Sequence, residues 1–206
     1  MEGEKVCVKG HEKVRYKIIG EKMDYKYRLF PMNEPDLYDR VLRYWEDILD
    51  DADQQRIYSI AHPTMEDIGR MLSNRGTYCF AVLDVDSLRV AGDVCLTEVT
   101  RVSANVHFGI HPSYRGRQAV YAISSAAHQL FNTPITQTGK PLLSFIGHTP
   151  VTNTLAIKFA HLVGFKDIGV LTKSLFISKS SITVDGLITQ IRQEDVNMKF
   201  VPERKQ

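Results

Sequence analysis

The sequence predicts an α/β domain: a mixed, mostly antiparallel central sheet with helices on both faces. Three observations carry that prediction. Segments whose apolar residues recur at helical spacing flank apolar runs of strand length. The polar stretch Asp84-Val85-Asp86-Ser87 joins two such runs as a hairpin. Later, Pro134, Gly139 and Pro141 break the chain between a helical stripe and a short buried run.

The elements follow in order. From Asp36 to Leu49, Leu37, Val41, Leu42, Trp45, Ile48 and Leu49 recur at helical spacing, and the acidic run Asp47–Asp53 closes the helix. A second helix starts after Pro63, where Thr64 and Asp67 make a capping-box pattern; Ile68, Met71 and Leu72 give it an apolar face and Gly76 ends it. Tyr78–Leu83 and Val90–Val99 form the hairpin. Ala104–Ile110 alternates, with Val106, Phe108 and Ile110 on one face and Asn105, His107 and Gly109 on the other. Arg117–Phe131 carries Val120, Ile123, Ala127, Leu130 and Phe131 on one helical stripe. A buried strand is expected at Leu142–Ile146, a helix at Asn153–Val163 ended by Gly164, and extended runs near Val170–Ile177 and Leu187–Ile191.

Composition narrows the class. The chain has 206 residues, 43% hydrophobic and 24% charged, which suits one globular domain. A net charge of +2 does not call for nucleic acid as a partner, although it does not forbid one. Residues 1–25, rich in Lys and Glu, read as a charged N-terminal arm, 26–192 as the domain and 193–206 as a polar tail. Cys7, Cys79 and Cys95 are scattered and odd in number, so they are expected to be buried reduced thiols rather than a disulfide framework or a metal site. His107 and His111 are four apart, but on a strand and a turn, which gives no metal-ligand geometry. No apolar stretch reaches transmembrane length and the N-terminus is too charged for a signal peptide, so no membrane span and no secretion by that route are expected.

The segment Ile110-His111-Pro112-Ser113-Tyr114-Arg115-Gly116-Arg117-Gln118-Ala119-Val120 joins an apolar strand to an amphipathic helix. A basic turn at a helix N-terminus presents N–H groups to a phosphate. Downstream stands Asn153-x-x-Ala156-x-x-Phe159, ending in Val163-Gly164-Phe165. With these two motifs, residues 26–192 resemble the GNAT acetyltransferase superfamily in element order.

That resemblance implies an acetyl-CoA site. Ile110, Arg115, Gly116, Arg117, Gln118 and Asn153 are then the candidate cofactor-binding residues. The family pattern has glycine where this chain has Gln118 and glycine or alanine where it has Val120, so both side chains are expected to obstruct the diphosphate. Many members carry a tyrosine, a proton donor to the leaving thiolate, where this chain has Ala160. His161 is one step round the helix, and its other reading is an exposed helical histidine. The family also uses a base on the incoming amine. His107 is the first candidate and Glu98 the second, and a solvated histidine on a wet strand face is the alternative.

These departures lead to an expectation of a GNAT-fold protein with a degraded site, no cofactor and a structural or interaction role. A looser resemblance, to GNAT-like bacteriophage virion or head-assembly proteins, implies other virion or assembly proteins as partners and a location in host cytoplasm or virion. The alternative is an active acetyl-CoA-dependent N-acetyltransferase on an amine the sequence does not identify. CoA binding without turnover lies between the two.

Overall fold

The computed structural model describes residues 5–9, 12–16, 24–51, 64–74, 76–135, 139–177 and 181–202. Strands β1 (Lys5–Lys9) and β2 (Glu12–Tyr16) pair antiparallel as a sheet of their own. The main sheet holds β3 (Tyr27–Pro31), β4 (Tyr78–Asp84), β5 (Arg89–Thr97), β6 (Ser103–Ile110), β7 (Ser144–Pro150), β8 (Lys166–Ile177) and β9 (Ile182–Arg192). Its seven strands run in the order β3-β4-β5-β6-β7-β9-β8, antiparallel at every junction except the parallel β6–β7 pair.

Among the described residues, four α-helices cover the two faces: α1 (Tyr38–Asp50), α2 (Met65–Ser73), α3 (Arg117–Phe131) and α4 (Thr154–Val163). The alternation of strand side chains divides the core accordingly. Val41, Tyr44, Trp45 and Ile48 of α1 and Ile68 of α2 pack on Ala81, Leu83 and Val90. Val120, Ile123, Ala127 and Leu130 of α3 and Val163 of α4 pack on Val82, Val94, Leu96, Val106 and Phe145. Gln129 is buried on α3, accepting from Leu29 N at 3.1 Å and donating to Tyr27 O at 2.8 Å, which ties edge strand β3 to the helix. Among the described residues no helix is long and apolar enough to cross a membrane.

Local chemistry sets the helix ends. Thr64 N donates to Asp67 Oδ2 at 2.8 Å and Asp67 N to Thr64 Oγ1 at 3.3 Å, the reciprocal capping box expected for α2. Gly164, at φ 125°, ends α4. β7 begins at Ser144 and reaches Pro150, later than the expected Leu142–Ile146, because Leu142 packs in the core before β7 begins its register with β9. Residues 193–202, in the segment read as a polar tail, pack on the domain through the buried Val196 and Val201, and Asn197 N donates to Val163 O at 3.1 Å.

The cysteines are corrected by the register. Cys79 and Cys95 stand directly opposite on β4 and β5 and are joined as a disulfide, where reduced thiols were expected. Strand pairing brings together two residues that look scattered in sequence. Cys7 lies in β1, where only the backbone is described.

One polar contact is built into the sheet under α1. Gly109 faces Asp93 across the β5–β6 ladder, and a Cβ on Gly109 would stand 1.9 Å from Asp93 Oδ1 and 2.7 Å from the Tyr44 hydroxyl. Tyr44 donates to Asp93 Oδ1, and both side chains are buried. Desolvation pushes the Asp93 carboxyl up to about 6, with the Tyr44 bond opposing it.

Two outcomes follow from this contact. Gly109→Ala overfills the site, and urea denaturation should register a loss of about 1–3 kcal/mol. Asp93 binds its proton more tightly folded than unfolded, so its contribution to stability falls as pH rises from 3.8 to about 6. The span amounts to about 3 kcal/mol. Asp93→Asn should therefore gain stability relative to the native protein between pH 4 and 7, read from urea midpoints across pH. Parallel pH curves for the two would contradict the assignment.

Candidate active site

The β6–β7 pair is bonded only from Ser103 to Asn105 and from Ser144 to Ile146. Both strands continue, β6 to Ile110 beside β5 and β7 to Pro150 beside β9, with no further pairing to each other. The result is a wedge whose two strand edges, among the described residues, are not paired with each other. Such edges offer donors and acceptors to an extended, amide-bearing ligand.

The first same-face residues past the last paired rung are His107 on β6 and His148 on β7. His148 Nε2 lies 3.0 Å from Ser174 Oγ of β8. His107 is exposed, yet protein lies close enough around the ring to cost its charged form some of its water. That loss of water lowers the His107 pKa from the ordinary 6.5; His148 lowers it further and Glu98 opposes both. Glu98, at φ 48° just past β5, accepts a 2.6 Å bond from Asn105 Nδ2. Beside it opens a cavity of about 390 Å³ lined by Asn74, Thr77, Tyr78, Thr97 and Glu98. His107 and Glu98 are close enough for the carboxylate to act on the ring's charge, although His107 is not in the lining of the Glu98 cavity. His148 was missed in the sequence. Its signal was the parity it shares with His107, readable only once the β6–β7 register is known.

The strand-to-helix turn is held from several sides. The Tyr114 hydroxyl donates to Asp84 Oδ2 at 3.1 Å and lies 2.9 Å from Ser87 Oγ, which anchors the turn to the β4–β5 hairpin. His111 is buried, with Nε2 2.8 Å from Asp47 Oδ2 of α1. Arg115 Nη2 donates to Asp51 Oδ1 at 2.7 Å, and the Arg117 guanidinium lies 5.2 Å from the Tyr121 ring centroid. Ile110 is half-buried at the end of β6.

Gly116 adopts φ 78°, with open space where a Cβ would point. From there α3 starts with no side-chain cap and no acid in its first turn. The expected obstruction is corrected at Val120: its side chain is 4% exposed, turned into the α3–sheet core and away from the turn. Gln118 is exposed to solvent. Asn153 caps α4, its Oδ1 accepting from Ala156 N at 3.1 Å. Ala160 is buried, and His161 pairs with Asp167 at 2.7 Å, engaged at the start of β8.

No family model matches the chain, and no curated protein matches it. Solved structures do. Spermidine N-acetyltransferase from Vibrio cholerae, in complex with CoA and spermine, is similar at TM-score 0.62 and 18% identity, over 82% of this chain and 97% of that one. Ribosomal-protein-S5-alanine acetyltransferase from Vibrio fischeri matches at TM-score 0.58 and 16% identity, over 86% and 98%. A GNAT-family acetyltransferase from Bacillus anthracis matches at TM-score 0.64 and 16% identity, over 84% and 98%. These likenesses overturn the expectation of a non-catalytic bacteriophage virion or head-assembly protein, because each of these structures is named as an acetyltransferase. The chain has the fold of the GNAT acetyltransferases: a seven-stranded, mostly antiparallel mixed sheet, helices on both faces and one short parallel junction that opens into a wedge.

Proposed function

We propose that this protein is an acetyl-CoA-dependent N-acetyltransferase acting on an amine. The observation that carries the reading is the β6–β7 wedge, with His107 on β6 past the last paired rung and within reach of the Glu98 charge. Acetyl-CoA supplies the chemistry of an activated thioester, open to attack by a neutral amine.

The residues that would hold the cofactor suit it. The uncapped first turn of α3 leaves the N–H groups of Arg117 and Gln118 and the positive end of the helix dipole for a diphosphate, and Gly116 adds no side chain. Val120 lies in the core and leaves that approach clear. Arg115, paired with Asp51, stands beside the turn, Ile110 ends β6 at the wedge, and Asn153 keeps its amide nitrogen beyond the capping bond.

Around the acceptor, Glu98 supplies the negative charge that attracts a cationic amine, and Asn105 fixes its carboxylate. His107 takes the amine proton. Its lowered pKa keeps the ring neutral at pH 7, the form a general base needs. As the C–N bond forms and the C–S bond breaks, that proton is available to the departing thiolate, a task Ala160 cannot perform.

Calorimetry should give a micromolar dissociation constant for acetyl-CoA; absence of binding would sink the reading. His107→Gln should lower kcat/KM by about 10²-fold or more with acetyl-CoA affinity unchanged. The acid limb of the native pH profile should lie below 6.5 and disappear in that variant. Glu98→Gln should raise the amine KM more than it lowers kcat.

A further inference from the structure

A second cavity, of about 360 Å³, opens between α1 and the β4–β5 turn, lined among others by Arg40, Arg43, Arg89, Asp47 and His111. We propose that it is a binding site for a phosphate monoester dianion. Acetyl transfer at His107 makes no use of it. His111 is four residues beyond His107 on the β6 path, about 13 Å away at strand spacing. The Tyr44–Asp93–Gly109 contact lies beside the β6 path between them.

The chemistry of the lining points to the ligand. Arg40 is held in place by donating to the carbonyl of Leu88, a turn residue at φ 56°. Arg43 lies one turn along the same face of α1, and Arg89 begins β5 on the other wall. Among the described residues, neither Arg43 nor Arg89 has a carboxylate partner. Asp47, the carboxylate in the lining, is occupied by His111 at 2.8 Å.

Three guanidinium groups against one carboxylate leave a balance of 3 − 1 = +2, with the histidine counted neutral. Like charges converging on a concave surface repel one another unless an anion sits between them. A phosphate monoester carries about −1.5 to −2 at pH 7 and three acceptor oxygens, which matches both the balance and the planar forks of arginine. A carboxylate or a phosphodiester, with a single charge, leaves half of that balance unmet.

The ester has two candidate sources: a separate phosphorylated metabolite, or the 3′-phosphate of a CoA molecule whose diphosphate would be held by the α3 turn. The primary test needs no CoA. Inorganic phosphate is titrated into the native protein at low ionic strength, followed by calorimetry and by the amide resonances of Leu88–Val90 and His111. Saturable one-to-one binding is expected, weakened at least tenfold in R43Q/R89Q, with acetate binding more weakly than phosphate.

Absence of saturable binding, binding unchanged in the double variant, or equal affinity for acetate would overturn the proposal. If the double variant melts early, R89Q alone, at the exposed start of β5, gives the same reading. CoA and 3′-dephospho-CoA then identify the source. A native preference for CoA that disappears in R89Q assigns the phosphate to the cofactor. Equal affinity for the two, with phosphate still binding at saturating CoA, assigns it to a separate ester. Because the phosphate titration stands alone, its failure is distinguishable from failure of the acetyltransferase reading.

Discussion

The short parallel junction between β6 and β7 is the constraint on which the rest of the structure depends. Parallel neighbours cannot be joined by a tight turn, so the chain must cross over, and α3 is that crossover. The crossover begins at the C-terminal end of β6, which puts the first turn of α3 at the mouth of the gap left when the strands part. Had the pairing continued past Asn105 and Ile146, the backbone edges would satisfy each other and no cleft would exist. A gap between the strands, a helix N-terminus at its mouth and His107 and His148 at matching positions on its two sides all follow from the ladder ending after a few rungs.

The face under α1 shows what packs beneath β6. A carboxylate buried against a tyrosine is stable only when its hydrogen bond is made and nothing else occupies the space. Gly109 provides that space by having no side chain. The same helix reaches the basic turn through Asp47 and Asp51, which engage His111 and Arg115. Thus α1 sets both the packing beneath β6 and the charge balance of the loop that follows it. Any anion approaching the turn meets arginines already partly answered by acids, and the cavity farther along α1 keeps the larger unanswered positive charge.

Several elements were legible because their signals are local. The capping box at Thr64 and Asp67, the apolar stripe of α3 and the alternation of β6 depend on neighbours within a few residues. The start of β7 and the meeting of Cys79 with Cys95 were not legible, since register depends on partners far away in sequence. Val120 is instructive. Compared with a glycine pattern it looked like an obstruction, yet its place on the stripe with Ile123 and Ala127 already implied a core-facing side chain, as the packing has it. Motif comparison counts residue types, whereas helical phase decides where a side chain points.

The sequence by itself determined the fold class, the order of elements from α1 to β9, and the two motifs that resemble GNAT acetyltransferases, but not the edge strand β3 at Tyr27–Pro31. Periodicity and turn chemistry act over short range, and one chain carries that information whole. Only the tertiary structure decided where β6 and β7 part, and that His148 stands across from His107. It also decided that Arg115 is paired with Asp51 and that Arg40, Arg43 and Arg89 surround one cavity. Those facts depend on register and on the angle at which α1 crosses the sheet. Both are set by the packing of many residues at once, which no short stretch of sequence encodes.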